Sequence, residues 1–104
     1  MLNKSDFNFE LTIVMPCLNE AETIVSCIKK ANVFFNKHSI LGEVIVADNG
    51  SIDNSKILAI KHGARVVEVH SIGYGSAIRG GIESANSEFV IVGDSDDSHD
   101  FEMF

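Results

Sequence analysis

The chain has 104 residues and a formal charge of −7, with 45% hydrophobic and 22% charged residues. That is one lean domain with enough apolar material for a core, which excludes a disordered chain. The acidity excludes a nucleic-acid binder or an anionic-membrane binder acting through bulk charge, and no apolar run reaches the ~20 residues that span a bilayer.

Residues 1–10 form a polar lead-in without the basic-then-apolar pattern of a secretory leader, which predicts a cytoplasmic chain with Cys17 and Cys27 as reduced thiols. Leu11 to Met15 is an apolar, β-branched run that reads as a buried strand stopping at Pro16. Asn19 is placed to cap the following helix, with Glu22 reaching back in a capping box. Ile24, Ile28, Ala31 and Phe35 recur on one helical face until Gly42 breaks the pattern. Val44 to Asp48 is a second strand, and Asn49-Gly50-Ser51 is turn chemistry. Ser51 or Asp53 caps a second helix, with Ile57 and Ile60 predicted to face inward and Gly63 at its C-terminal stop. Ala64 to Val69 is a third strand. Ala77, Ile78, Ile82 and Ala85 mark a third helix, and Glu88 to Val92 a fourth strand.

The order β-α-β-α-β-α-β predicts a parallel α/β sheet with right-handed crossovers. Its strands read as continuous apolar runs, as expected where both faces are covered. In such sheets ligands bind beyond the carboxyl ends of the strands. The loops leaving those ends begin at Pro16, Asp48, His70 and Asp94, so these should converge on one rim.

Each rim loop carries a candidate set. Pro16-Cys17-Leu18-Asn19-Glu20 has no glycine, which excludes a dinucleotide fingerprint or P-loop and leaves a binding edge at Asn19 and Glu20, or a plain helix cap. Asp48, before Asn49-Gly50-Ser51, either accepts from a ribose hydroxyl or base N–H or simply forms the turn. Gly73-Tyr74-Gly75-Ser76-Ala77-Ile78-Arg79 either lets backbone approach a ligand at a helix N-terminus, with Arg79 to offset phosphate charge, or is a flexible loop with a surface Arg. Five acids fall in the last eleven positions with no Lys or Arg, and Asp94 follows a buried strand directly. Asp94 and Asp96 therefore read as oxygen ligands for a hard divalent cation, Mg²⁺ or Mn²⁺, ahead of the alternative of a solvated acidic terminus. His99 occupies the turn-glycine position, which excludes an EF-hand loop.

Together these pieces resemble the family 2 glycosyltransferases of the GT-A (Rossmann-like) fold. The residues are Pro16-x-x-Asn19-Glu20, Asp48-Asn49-Gly50-Ser51-x-Asp53, Gly73-x-Gly75-x-Ala77-x-Arg79-x-Gly81 and the D-x-D pair Asp94-x-Asp96, over about residues 10–102. The ending Asp96-Asp97-Ser98-His99-Asp100-Phe101 is most similar to the branch that makes polyprenyl-phosphate sugars, the dolichol-phosphate mannose or glucose synthase type. The family has two acids before Gly-Ser; Asn49 stands at the second here.

The resemblance implies that residues 1–104 are the nucleotide-sugar-binding half of a glycosyltransferase domain. Pro16, Leu18, Asn19, Glu20, Asp48, Asn49, Gly50, Arg79, Asp94 and Ser95 would bind donor, and Asp94 and Asp96 the metal. It implies an inverting transfer from a UDP- or GDP-sugar to an acceptor such as polyprenyl phosphate, in cell-envelope glycan synthesis, at the cytoplasmic face of the membrane. Half an active site is expected to bind donor without transferring it, to expose a strand edge and to form a homodimer. Other classes predict differently. A non-catalytic nucleotide-binding module would bind without releasing product, and a receiver domain would need an acidic pair where Cys17-Leu18-Asn19 stands.

Overall fold

The computed structural model describes residues 7–94. The elements are β1 (Phe9–Cys17), α1 (Ile24–Lys37), β2 (Gly42–Asp48), α2 (Ser55–Lys61), β3 (Arg65–Glu68), α3 (Tyr74–Ser84) and β4 (Ser87–Val92). The four strands form one parallel sheet in the order β3-β2-β1-β4.

β1 is central and runs one residue past Pro16, ending level with Asp48 through the pair Cys17–Asp48. A central proline is tolerated here because of where its missing donor falls. Gly93 N–H donates to the Val14 carbonyl at 2.9 Å, so Val14 and, two residues on, Pro16 turn their backbone groups toward β4. The β1–β4 ladder has its last residue pair at Val14–Val92, so Pro16 interrupts no pair of that ladder.

Alternate residues of β1 and β2 feed two cores. Ile13, Met15, Cys17, Val44 and Val46 pack with Ile24, Cys27, Ile28, Ala31 and Phe35 of α1 and Ala59 of α2. Val14, Ile45 and Ala47 pack on the other face with Ala77 of α3. The predicted α1 stripe is therefore buried in full. At Gly81, a Cβ would lie 2.4 Å from a Val14 methyl, so glycine is what allows the α3 backbone to rest on the sheet.

Three expectations need correction. Asn19 does not cap α1: it adopts φ 53°, and Thr23 stands at the helix N-terminus. Ile57 and Ile60 face solvent, 68% and 62% exposed, while Ser55 and Ala59 are fully buried. The small residues let α2 lie close to the sheet, and Ser55, bonded to the β1–α1 loop, sets the helix rotation. Finally, full cover on both faces holds for β1 and β2 but not for the outer strands: β3 ends in exposed Arg65 and Glu68, and Phe89 of β4 is 64% exposed.

Candidate nucleotide-sugar site

The strand register brings the predicted loops to one rim. Cys17 lies opposite Asp48, and Asp94 leaves β4 two residues beyond the Val14–Val92 pair. A cavity of about 360 Å³ opens there. Among the described residues it is lined by Pro16, Cys17, Leu18 and Glu20 after β1, Asn49 after β2, Ile72, Gly73, Tyr74 and Ala77 before and within α3, and Asp94 after β4. Its walls are mainly apolar, with the Glu20 and Asp94 carboxylates as acidic members. Leu18, Ile72 and Tyr74 form exposed apolar edges, at 52%, 93% and 60%. The Tyr74 hydroxyl donates to Asp94 Oδ1 at 3.3 Å, closing α3 against the end of β4.

The first two loops are locked to each other. Asn19 N–H donates to Ser51 Oγ at 2.9 Å and Glu20 N–H to Ser55 Oγ at 2.8 Å. Asn19 Oδ1 accepts from the N–H groups of Ile52 and Asp53, and Asp53 Oδ2 accepts from Ala21 N–H at 3.1 Å. The left-handed φ of Asn19 aims that side chain across the gap, a conformation asparagine tolerates better than most residues. Asp48 is also engaged inward. Its carboxylate, 1% exposed, accepts from Gly50 N–H, Ser51 N–H and Ser51 Oγ. That is a turn anchored by its own aspartate, made possible by Gly50 at φ 103°.

Of the ten residues expected to bind donor, Pro16, Leu18, Glu20, Asn49 and Asp94 line the cavity, whereas Asn19, Asp48, Gly50 and Arg79 do not. The first three of these build the loops beneath the cavity. Arg79 is exposed on α3, about 200° around the helix from buried Ala77, and so faces away from the sheet. Ser95 and Asp96 lie outside the described residues. Cys17, Ile72, Gly73, Tyr74 and Ala77 also line the cavity; none was among the residues expected to bind donor, although all but Ile72 lie in the candidate rim loops. The available signal was an isolated aromatic between Gly73 and Gly75 at a helix start, preceded by an apolar loop residue.

Burial pushes the Cys17 thiol above its ordinary pKa, so it stays protonated at neutral pH and serves as an apolar wall rather than a nucleophile. Among the described residues no group of three or more His, Cys, Asp or Glu converges as a metal centre. Asp94 and Glu20 bring the hard carboxylate oxygen donors of the cavity among the described residues, of the kind Mg²⁺ and Mn²⁺ take.

The family model for glycosyl transferase family 2 matches residues 12–104. The chain belongs to glycosyl transferase family 2. This family 2 chain is 38% identical over 98 residues to a low-salt glycan biosynthesis hexosyltransferase of Haloferax volcanii, covering 94% of this chain and 24% of that protein. It is 33% identical over 94 residues to glucosyl-3-phosphoglycerate synthase of Mycobacterium tuberculosis, covering 83% of this chain and 28% of that one. The chain thus spans well under half the length of these relatives. A crystal structure of the mycobacterial synthase in complex with Mn²⁺, uridine diphosphate and glucosyl-3-phosphoglycerate superposes with a TM-score of 0.72 at 32% identity, over 85% of this chain and 34% of that one. Mannosyl-3-phosphoglycerate synthase of Rubrobacter xylanophilus shares the fold at a TM-score of 0.75 and 22% identity, over 85% of this chain and 31% of that one. The parallel sheet with flanking helices is accordingly the GT-A fold, and the receiver-domain alternative falls.

Proposed function

We propose that this chain is the donor-binding part of an inverting glycosyltransferase that takes a hexose from a nucleoside-diphosphate sugar, with UDP as the favoured nucleotide. The observation that carries this reading is a rim cavity in which Pro16, Leu18, Glu20, Tyr74 and Asp94 meet. The mycobacterial synthase crystallised with UDP and Mn²⁺ supports the choice of nucleotide and cation.

In this reading Pro16, Leu18 and Tyr74 flank the flat nucleoside with apolar surface, and Glu20 accepts from its hydroxyl or N–H donors. Asp94 and Asp96 would hold Mg²⁺ or Mn²⁺ for the donor diphosphate, with Ser95 beside them as a donor contact. Such a cation, when bound, stabilises negative charge on the leaving diphosphate. Asn19, Asp48 and Gly50 act through the loops they hold, and Arg79 has no part in the cavity. A polyprenyl-phosphate acceptor brings an oxygen that is already anionic and needs no protein base, whereas a hydroxyl acceptor such as that of a phosphoglycerate needs one. We favour the lipid phosphate, which would place the enzyme at the cytoplasmic face of a membrane and in cell-envelope glycan synthesis. Among the described residues no helix is long and apolar enough to cross that membrane.

Calorimetry with UDP and GDP, with and without Mn²⁺, tests the donor assignment. UDP binding is expected to require the cation and to weaken about tenfold or more in Asp94→Asn and Asp96→Asn, because each removes an anionic ligand. Equal affinity without metal would sink the Asp94/Asp96 role. Release of UDP from a UDP-hexose on adding polyprenyl phosphate, and not on adding 3-phosphoglycerate, would select the lipid acceptor. This chain by itself is expected to bind donor without transferring it, so the release assay belongs to a longer chain that supplies the acceptor half, where binding without release to either would favour the non-catalytic module.

A further inference from the structure

The amide of Asn49 makes three bonds to one neighbouring loop. Its Nδ2 donates to the carbonyls of Val69 and Ser71, both at 2.9 Å, and its Oδ1 accepts from Gly73 N–H at 2.9 Å. All three bonds agree on the amide orientation, since a flipped side chain would lose every one of them. The loop they hold has little packing of its own: Ile72 is 93% exposed, and His70 and Ser71 are exposed. Gly73, at φ 122°, is the hinge from this loop into α3, and the next residue is Tyr74. A chain of contacts therefore runs from Asn49 through Gly73 to Tyr74, whose hydroxyl reaches Asp94.

We infer that Asn49 is a positioning residue for the donor site: its amide staples the 69–73 loop to the end of β2 and so sets the Tyr74 wall against Asp94. The inference rests on the donor-site reading above. It also gives a physical reason for an amide at this position. Aspartate has the same shape but no donor at neutral pH, and it would place a carboxylate against two carbonyl oxygens.

The chain contains one tyrosine and no tryptophan, so tyrosine fluorescence and the tyrosine band of near-ultraviolet circular dichroism report on Tyr74 alone. Wild type, Asn49→Asp and Asn49→Ala are compared by these signals, by far-ultraviolet dichroism, and by calorimetric UDP affinity with Mn²⁺ present. Both variants are expected to keep the far-ultraviolet spectrum, to shift the tyrosine signal, and to bind UDP about tenfold more weakly. Asn49→Asp should be at least as affected as Asn49→Ala. A residue that merely filled space would give the opposite order, with the isosteric Asn49→Asp close to wild type, and that result overturns the inference. So does a UDP affinity within about twofold of wild type in a variant whose tyrosine signal has moved. Global unfolding of both variants overturns it too, since the amide would then support the whole sheet and not one wall. If wild type itself fails to bind UDP with Mn²⁺, the donor reading fails, while the tyrosine signals still decide whether the staple exists.

Discussion

Asp53 is exposed yet engages both carboxylate oxygens. Oδ1 accepts from Ser55 N–H and Oγ, and Oδ2 accepts from Ala21 N–H. The Ser55 hydrogen bond, foremost among these, holds its carboxyl below the ordinary pKa. Glu68 is lowered in the same direction by its hydrogen bond with Lys56, at 2.9 Å. A carboxylate whose folded pKa is depressed contributes stability above its unfolded pKa, and that contribution is lost as pH falls through the folded value. The loss therefore begins below about pH 4. Asn at position 53 keeps an acceptor but does not titrate. The difference in melting temperature between wild type and Asp53→Asn should accordingly shrink as pH is lowered from about 7 to about 3. A constant difference across that range would show that the Asp53 charge is irrelevant to the loop lock.

At the scale of elements, glycine placement decides how α3 meets the sheet. A Cβ on Gly81 would strike Val14 at 2.4 Å and Ala47 at 3.3 Å, both in well-packed β-strands. Gly81→Ala should therefore cost about 1–3 kcal/mol, read as a shift of the urea midpoint. Gly75 lies on the same helix with nothing within 4 Å of a built Cβ and without a left-handed φ. Gly75→Ala should instead stabilise by up to about 1 kcal/mol, because alanine loses less backbone freedom on forming helix. Equal effects at the two positions would mean that α3 does not lie on the sheet as described. α2 shows the same logic from its small residues: Ser55 and Ala59 permit close approach, and the bulky Ile57 and Ile60 are left outside.

At the scale of the whole molecule, the sheet ends in two outer strands. β4 pairs with β1 along one side, and among the described residues no strand pairs with its other side. Its Phe89 is 64% exposed on the face that carries α1 and α2, while the helix–strand packing of α1 and α2 is centred on β2 and β3. An open edge beside an exposed aromatic favours strand addition. We expect this chain to self-associate at high concentration, and Phe89→Lys to reverse that by placing a charge on the edge. Light scattering across a dilution series checks both. A wild-type chain that stays monomeric at the highest concentration would remove the edge as a contact surface.

How much of this was legible in the amino-acid order depends on whether a feature is local. Four apolar runs separated by helical stripes determined the four described strands, their parallel sense and the shared rim, because period and burial are written within each segment, whereas the spatial order β3-β2-β1-β4 came from the structure. The α1 stripe of Ile24, Ile28, Ala31 and Phe35 belongs to this class, and so does the Gly63 stop, seen at φ 91°. The tertiary structure decided which polar side chains face the cavity and which face one another. Asn19, Asp48, Asn49 and Asp53 all carry groups that bond a ligand or a neighbouring N–H equally well. The choice was set by backbone groups that folding brings alongside: Asn19 meets Ile52 and Asp53, and Asn49 meets Val69, Ser71 and Gly73. The same holds for Tyr74, a lone aromatic between glycines whose role depends on Asp94 arriving from β4 at the same rim. A buried or bridged polar group is defined by partners distant in sequence, so its role emerges only once the sheet has assembled them.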